Sequence, residues 1–185
     1  VVRLVGSEMC IRDRDNGFSK PYEIALALSC LFYLIFGLFF LRKTLLLFFS
    51  EFIASIVLVV LVVGTNLLYY STSEPCMSHA YSFSLISIFI FLSIRWHQKQ
   101  TIKKALAIGL VSGLIVLIRP VNLVILLFTF FLGVNSIATF RSNCRLFLKN
   151  WKQLLAMAIV AFLIVFPQLL YLSLIHISEP TRRTT

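Results

Sequence analysis

Charged side chains are scarce in this sequence: Asp, Glu, Lys and Arg together make up 13% of its 185 residues. Soluble domains contain about 25% charged residues, because polar surface has to meet water. In contrast, 59% of this chain is hydrophobic, and the apolar residues come in long blocks. This composition excludes an ordinary water-soluble enzyme and is typical of a protein whose outer surface faces lipid.

Two further patterns are missing. The four cysteines, Cys10, Cys30, Cys76 and Cys144, have no CxxC or metal-ligand spacing, which predicts packing residues. The apolar blocks show no alternation with a period of two residues. Because the lipid core tolerates only helices and closed barrels, the blocks predict an all-α transmembrane bundle.

The two ends of the chain differ from everything between them. Met9–Asp13 is the direct translation of ATG-TGT-ATA-AGA-GAC, and the opposite strand of the same DNA encodes Ser173–Ile177. Both strings belong to a transposon-type sequencing adapter. We therefore interpret residues 1–14 and 173–185 as adapter-derived and residues 15–172 as the biological segment, an internal fragment with both natural termini missing.

Six apolar blocks within residues 15–172 predict six helices. Their approximate bounds are 22–41, 52–71, 79–94, 105–118, 121–140 and 154–172. A spanning helix needs about 20 apolar residues to cross a hydrocarbon core of about 30 Å. Four of the blocks have that length, whereas the third and fourth are shorter.

Charge predicts the orientation of these helices. Ten of the 12 Lys and Arg residues between 15 and 172 lie in alternate connections. They are Arg42, Lys43, Arg95, Lys99, Lys103, Lys104, Arg141, Arg145, Lys149 and Lys152. Cytoplasmic loops carry the Lys/Arg excess, so this pattern predicts a multi-pass inner (plasma) membrane protein with both ends of the segment outside. The same pattern explains the basic pI, because the cations mark the cytoplasmic loops and do not indicate a nucleic-acid partner.

Aromatic and small residues fit the same map. Tyr69, Tyr70 and Tyr81 fall at the predicted outer boundary, and Trp96 and Trp151 at the inner one, as interfacial belts do. A GxxxG pair, formed by Gly109 and Gly113, predicts close packing of the fourth helix against a neighbour.

A first polar cluster occupies residues 65–81, on the predicted outer side. It contains Glu74, His79, Tyr70 and Tyr81 among several hydroxyl groups. One interpretation is a capped loop that faces water. The other is the wall of a binding site, in which Glu74 or His79 binds substrate or a divalent metal, although two ligands alone do not define a metal site.

A second polar cluster contains Arg119 and Asn122. The 15 residues from Lys104 to Arg119 rise about 22 Å as a helix, roughly 8 Å short of the lipid core. Arg119 is therefore expected at or below the outer headgroup level, where a cation is costly unless it meets water or an anion. It is either a snorkelling side chain among lipid phosphates or part of an anion site.

Three stretches of the segment resemble a known family. Residues 64–70 (GTNLLYY), 74–83 (EPCMSHAYSF) and 113–122 (GLIVLIRPVN) are similar to bacterial membrane glycosyltransferases of the GT-C class, in the protein-mannosyltransferase-like group. Residues 15–23 (DNGFSKPYE) resemble the stretch before a mid-chain helix of these proteins. The resemblance extends over most of the segment.

This resemblance implies transfer of a sugar from a polyprenyl-phosphate donor to an acceptor on the outer face of the membrane. It implies that Arg119 faces the lipid phosphate, while Glu74 and His79 line the outer cavity or hold a metal. Asn122, Tyr70 and Tyr81 complete the expected substrate-binding set. The family places its essential acidic residue in the first outer loop, expected upstream of Asp15, so no catalytic residue is assigned and the segment as given is expected to be inactive.

Two rival interpretations stay open. In a transporter or flippase fragment, Arg119 and Glu74 would line a substrate path. Transporters usually contain repeated halves with broken helices, and no internal repeat is visible in this sequence. In a non-enzymatic membrane subunit, both polar clusters would only be interfacial.

Overall fold

The structure, a computed structural model, describes residues 20–74 and 77–178, with side chains through Leu174. These residues are helical throughout their regular structure and include no strand, which confirms the all-α prediction. The helices are α1 (Lys20–Leu45), α2 (Glu51–Gly64), α3 (Leu67–Thr72), α4 (His79–Gln98), α5 (Ile102–Ile118), a 3-10 helix (Pro120–Ile125), α6 (Leu126–Phe131), α7 (Ile137–Lys149) and α8 (Trp151–Ser178). Of the predicted adapter segments, residues 1–14 and 179–185 lie outside the described residues, whereas residues 173–178 continue α8.

Within residues 20–74 and 77–178, three helices are long and apolar enough to cross a membrane: Lys20–Leu45, His79–Gln98 and Trp151–Leu174. Large apolar side chains cover the outside of the bundle, as on α1, where Phe32 is 63% exposed, and on α8, where Leu163 is 60% exposed. Such a surface is costly in water and suited to lipid. This part of the membrane prediction therefore stands, although only three of the six predicted helices meet the length of a span.

Neighbouring helices pack in the order α2, α1, α4, α5, α8. α1 and α4 run parallel, because Tyr33 contacts Tyr81 near one end and Phe40 contacts Phe91 farther along both helices. α5 is antiparallel to α4, since the Lys104 ammonium at its start reaches the Arg95 carbonyl oxygen at 2.6 Å and Asn122, just beyond its end, bonds Ser82 in the first turn of α4. The last turns of α1 and α4 and the first turn of α5 therefore lie at one end of the bundle.

That end, which we call the basic end, gathers the cations of the three alternate connections. Arg42 pairs with Glu51 between α1 and α2. α8 begins there as well, because the indole N–H of Trp96 on α4 donates to Gln153 on α8 at 2.8 Å. At the opposite end lie α3 and the first turn of α4. We call it the tyrosine end, after Tyr33, Tyr69, Tyr70 and Tyr81.

Glycines allow the closest helix contacts. A Cβ atom on Gly109 would lie 2.6 Å from the carbonyl oxygen of Met157, and one on Gly113 would lie 2.8 Å from the Cβ of Ile164. Both neighbours belong to α8, so the GxxxG prediction of close helix packing is confirmed. Gly37 plays the same part between α1 and α4, where a Cβ atom would lie 2.8 Å from the Cα of Ser84.

The second predicted helix, 52–71, is divided in the structure. α2 ends at Gly64, and Thr65 has extended backbone angles (φ −122°, ψ 169°). The Thr65 hydroxyl donates to the Leu61 carbonyl and accepts from the backbone N–H of Leu67, so its side chain supports the break. A threonine side chain competes with the helical hydrogen bonds in this way, and α3 starts in a new direction.

The fifth predicted helix, 121–140, differs more strongly. The segment starts as a 3-10 helix with Pro120 in its first turn, continues as α6 and ends at Phe131. Gly133 has a φ of 73°, and Ser136 then caps α7 through its hydroxyl and the N–H of Thr139. A glycine in the left-handed region commonly follows the end of a helix, and a serine N-cap starts the next one. Residues 137–140 therefore belong to α7.

Trp96 also departs from its prediction. Instead of facing the membrane boundary, it is fully buried, with its ring 5.6 Å from that of Phe147. It belongs to a core with Phe89, Ile108 and Ile115 between α4 and α5. Trp151, by contrast, is 57% exposed, as an interfacial residue would be.

Candidate binding site at the tyrosine end

The first turn of α4 lies at the centre of the tyrosine end. Three of its side chains contact three different neighbours: His79 stacks on Tyr70 of α3, Tyr81 meets Tyr33 of α1, and Ser82 bonds Asn122 of the 3-10 helix. Successive helix residues point about 100° apart, so a single turn reaches all three neighbours. This turn therefore joins both polar clusters of the sequence.

His79 and Tyr70 form a stacked pair with their ring centroids 4.2 Å apart and their planes 21° from parallel. α3 is held against α1 at this point, since the Cys30 thiol lies 3.8 Å from the Tyr70 carbonyl oxygen as a weak donor. Both rings are half-buried. The stacked pair presents an apolar ring surface, and its polar groups are the Tyr70 hydroxyl and the His79 ring nitrogens.

Glu74 bonds a residue that the sequence analysis left out of the site. The Tyr69 hydroxyl donates to Oε1 of Glu74 at 3.1 Å. This hydrogen bond, followed by the repulsion between a tyrosinate and the Glu74 charge, raises the pKa of Tyr69 above its usual value. Tyr69 therefore stays a neutral donor over the physiological pH range and holds the carboxylate in place. In the sequence, only the short spacing of five residues between Tyr69 and Glu74 could have indicated this contact.

Asn122 reaches α4 by donating from Nδ2 to the Ser82 hydroxyl at 3.1 Å. Its backbone N–H also donates to the Arg119 carbonyl oxygen at 2.9 Å. Arg119 itself has an extended backbone between α5 and the 3-10 helix. Asn122 thus fixes the point at which the chain turns, and Arg119 lies within one turn of it.

The guanidinium of Arg119 is exposed. Within residues 20–74 and 77–178, it has no ion-pair or hydrogen-bond partner. The side chains that follow are apolar and outward-facing: Val121 is 81% exposed and Val124 is 69% exposed. A cation is therefore held next to an apolar surface at the end of the bundle opposite the basic end, and its level relative to the lipid headgroups stays a prediction.

The six sequence-predicted site residues lie at this end, on different elements around the first turn of α4. Tyr70, His79 and Glu74 lie on the α3 side of the first turn of α4, and Tyr81 faces α1. Asn122 lies on the 3-10 helix, and Arg119 lies just before it. Among the described residues, no hydrogen bond or ion pair joins the Arg119 side chain to Glu74 or His79. The same part of the chain groups no three His, Cys, Asp or Glu side chains that would hold a metal, so a divalent metal at Glu74 and His79 stays a prediction.

A cavity of about 220 Å³ lies between α4, α5, α6, α7 and α8, closer to the basic end. Phe89, Ile108, Phe130, Phe147 and Met157 form much of its apolar lining. Its two hydroxyl groups already have partners, since Ser112 donates to Ile108 in its own helix and Thr129 shares a 2.8 Å bond with Ser93. The cavity therefore suits a hydrocarbon chain better than a polar solute. Five elements line it, and no local sequence signal indicated it.

No protein family, no curated protein and no solved structure matches this chain.

Proposed function

We propose that this chain is part of a multi-spanning glycosyltransferase of the bacterial inner membrane, which moves a sugar from a polyprenyl-phosphate donor at the outer face. In this proposal the basic end faces the cytoplasm and the tyrosine end faces outward. The observation that carries the proposal is the unpartnered, exposed guanidinium of Arg119 next to apolar side chains at the tyrosine end.

Phosphate is the anion that this environment favours. A guanidinium offers paired donors in a plane that matches two phosphate oxygens, and it is less strongly hydrated than an ammonium group. Val121 and Val124 lie beside it and suit the lipid part of the same molecule. A polyprenyl phosphate combines both features, because its charged phosphate is joined to its hydrocarbon chain through a single ester oxygen.

The rest of the tyrosine end is suited to a sugar. The half-buried edges of Tyr70, His79 and Tyr81 offer aromatic faces with polar tips. Glu74 and Asn122 add an acceptor and an amide, groups that fix the orientation of hydroxyl-rich ligands. In the transfer step, Arg119 would stabilise the charge that develops on the leaving phosphate. We assign the general base to none of the described residues.

The main alternative, a transporter or flippase, requires a path for a polar headgroup through the bundle. The cavity among α4–α8 has a largely apolar lining, so this cavity offers no such path. An isoprenoid chain fits this lining, whereas a polar solute would lose its hydration without replacement. This observation favours the transferase.

The proposal is tested by binding of polyprenyl phosphate and of the corresponding neutral polyprenol to the purified chain in detergent. We expect Arg119→Ala to weaken binding of the phosphate by about 10-fold to 100-fold, because hydrogen bonds to charged groups contribute roughly 1.5–3 kcal/mol. Binding of the neutral alcohol should change less than twofold. The measurement is titration calorimetry or ligand-induced thermal stabilisation.

Lys20→Ala is the matched control, because Lys20 is also an exposed cation away from the basic end. It should leave the affinity for polyprenyl phosphate unchanged. Equal loss of affinity for phosphate and alcohol in Arg119→Ala would show that the mutation damages the fold, and unchanged affinity for both would remove Arg119 from the site.

A further inference from the structure

α7 is a separate amphipathic helix at the basic end. It starts with a capping box. The Ser136 hydroxyl accepts a hydrogen bond from the backbone N–H of Thr139, and the Thr139 hydroxyl accepts one from the backbone N–H of Ser136. Such a box stabilises a first turn by satisfying helical N–H groups that would otherwise lack partners. The helix therefore has a start signal of its own, separate from α6.

One face of α7 is fixed to the bundle. Asn143 donates from Nδ2 to the carbonyl oxygens of Phe130 and Leu132, at 3.1 and 2.9 Å, and so closes the end of α6. On the same side, the Phe147 ring packs 5.6 Å from that of Trp96. These contacts hold α7 in a defined orientation against α4 and α6.

The cations of α7 lie on another face. Arg141, Arg145 and Lys149 are four residues apart, which places them in a row along the helix, and all three are exposed. They have no ion-pair partner among the described residues. No Asp or Glu occurs anywhere between Glu74 and Glu179, so this part of the chain supplies no carboxylate to balance them.

Exposed apolar side chains accompany this row. Ile137, near the start of α7, and Leu148, near its end, are each 74% exposed. Like charges four residues apart repel each other, and exposed large apolar residues are unfavourable in water. A surface that combines both features becomes favourable where anions and hydrocarbon meet.

We propose that α7 binds anionic phospholipid headgroups at the membrane surface, with Arg141, Arg145 and Lys149 contacting the phosphates and Ile137 and Leu148 entering the acyl region. Interfacial helices bind in this way, with basic residues on the polar face and apolar residues beside them. The exposed apolar residues favour a lipid surface over an acidic protein or a nucleic acid, which would meet only the cations. The proposal is independent of sugar transfer.

The test uses Trp151, which follows α7 by two residues and is one of only two tryptophans. The full chain is reconstituted in phosphatidylcholine vesicles that contain brominated phosphatidylglycerol or brominated phosphatidylcholine, and quenching of Trp151 gives the relative affinity for the two lipids. Trp96 contributes a constant background because it is fully buried. We expect clear preference for phosphatidylglycerol, which high salt reduces.

The triple variant Arg141→Gln, Arg145→Gln, Lys149→Gln should lower this preference at least tenfold, since one cation near an anionic surface contributes about fivefold in binding. The control Arg95→Gln, Lys99→Gln, Lys103→Gln removes the same charge from the same end and should change it less than twofold. A third variant, Arg141→Lys, Arg145→Lys, keeps the charge and should bind as the unchanged chain does.

Three results would overturn the proposal. The first is unchanged preference in the triple variant, and the second is equal loss in the control variant. The third is binding of polyglutamate or an oligonucleotide to the detergent-solubilised chain that depends on the three cations, without any preference between the lipids. If the triple variant does not fold, the variant Arg141→Lys, Arg145→Lys provides the test. Loss of the preference for phosphatidylglycerol in this variant, with its fold intact, contradicts binding by charge.

Discussion

Gly109→Ala and Gly113→Ala are expected to destabilise the bundle by about 1–3 kcal/mol, the typical cost of overpacking a close contact. The added methyl of Gly109→Ala would lie 2.6 Å from the carbonyl oxygen of Met157. This oxygen belongs to the backbone and cannot move away by a side-chain rotation. Alanine is also the better helix former by about 1 kcal/mol, so a net loss would identify packing as the cause. Unfolding in mixed micelles with rising SDS measures the effect.

Gly64→Ala is the matched control for these two variants. Its added methyl would meet only a Val60 methyl group at 3.6 Å, an ordinary contact. We therefore expect equal or higher stability, because alanine restricts the unfolded chain more than glycine does. If all three alanine variants behaved alike, α5 and α8 would not pack as described.

On the proposed function, Arg119→Ala is expected to lower sugar transfer at least 100-fold, with membrane insertion and expression unchanged. Removing one donor that stabilises developing charge typically costs 10²- to 10³-fold in rate, roughly 2.7–4 kcal/mol. Arg119→Lys should retain part of the activity, because lysine supplies the charge without the paired donors. The initial rate of transfer from a labelled polyprenyl-phosphate sugar gives the comparison.

The same variant separates the two candidate functions. Unchanged transfer in Arg119→Ala would remove this residue from the mechanism. Loss of lipid movement across the membrane, in a parent protein that transfers no sugar, would favour the flippase instead.

Hydropathy predicted the long helices well, because an apolar block of 20 or more residues leaves few alternatives. α1 and α8, predicted as blocks of about 20 residues, are the clearest examples, whereas α4 was predicted as the shorter block 79–94 and extends to Gln98 in the structure. The breaks were harder to predict. At Thr65 a single hydroxyl group ends a helix within an apolar stretch, and such a local competition leaves the mean hydropathy almost unchanged.

The division of the fifth predicted helix did have sequence signals, in Gly133 and in the capping pair Ser136 and Thr139. They were outweighed by the apolar character of residues 121–131. Trp96 illustrates the opposite case, since its burial depends on Phe147 and Gln153, more than fifty residues away in sequence. Contacts of this range cannot be deduced from a local pattern.

The candidate site was predictable to the extent that it is local. Glu74, Tyr70 and His79 lie within ten residues of one another, and the structure keeps them together. The contact between Asn122 and Ser82 joins the two polar clusters across forty residues, and only the fold reveals it. The 3-10 helix that carries Asn122 is likewise revealed only by the fold, because the sequence analysis treated it as part of a regular span.

The central claim is that the helices cross a bilayer with the basic end in the cytoplasm. Single cysteines at Ser50, between α1 and α2, and at Met77, before α4, test it directly in a cysteine-free background, because both side chains are exposed and lie at opposite ends of the bundle. We predict that a membrane-impermeant maleimide added to intact spheroplasts labels Met77→Cys and labels Ser50→Cys only after the membrane is opened. Labelling of both positions from the same side would contradict the account.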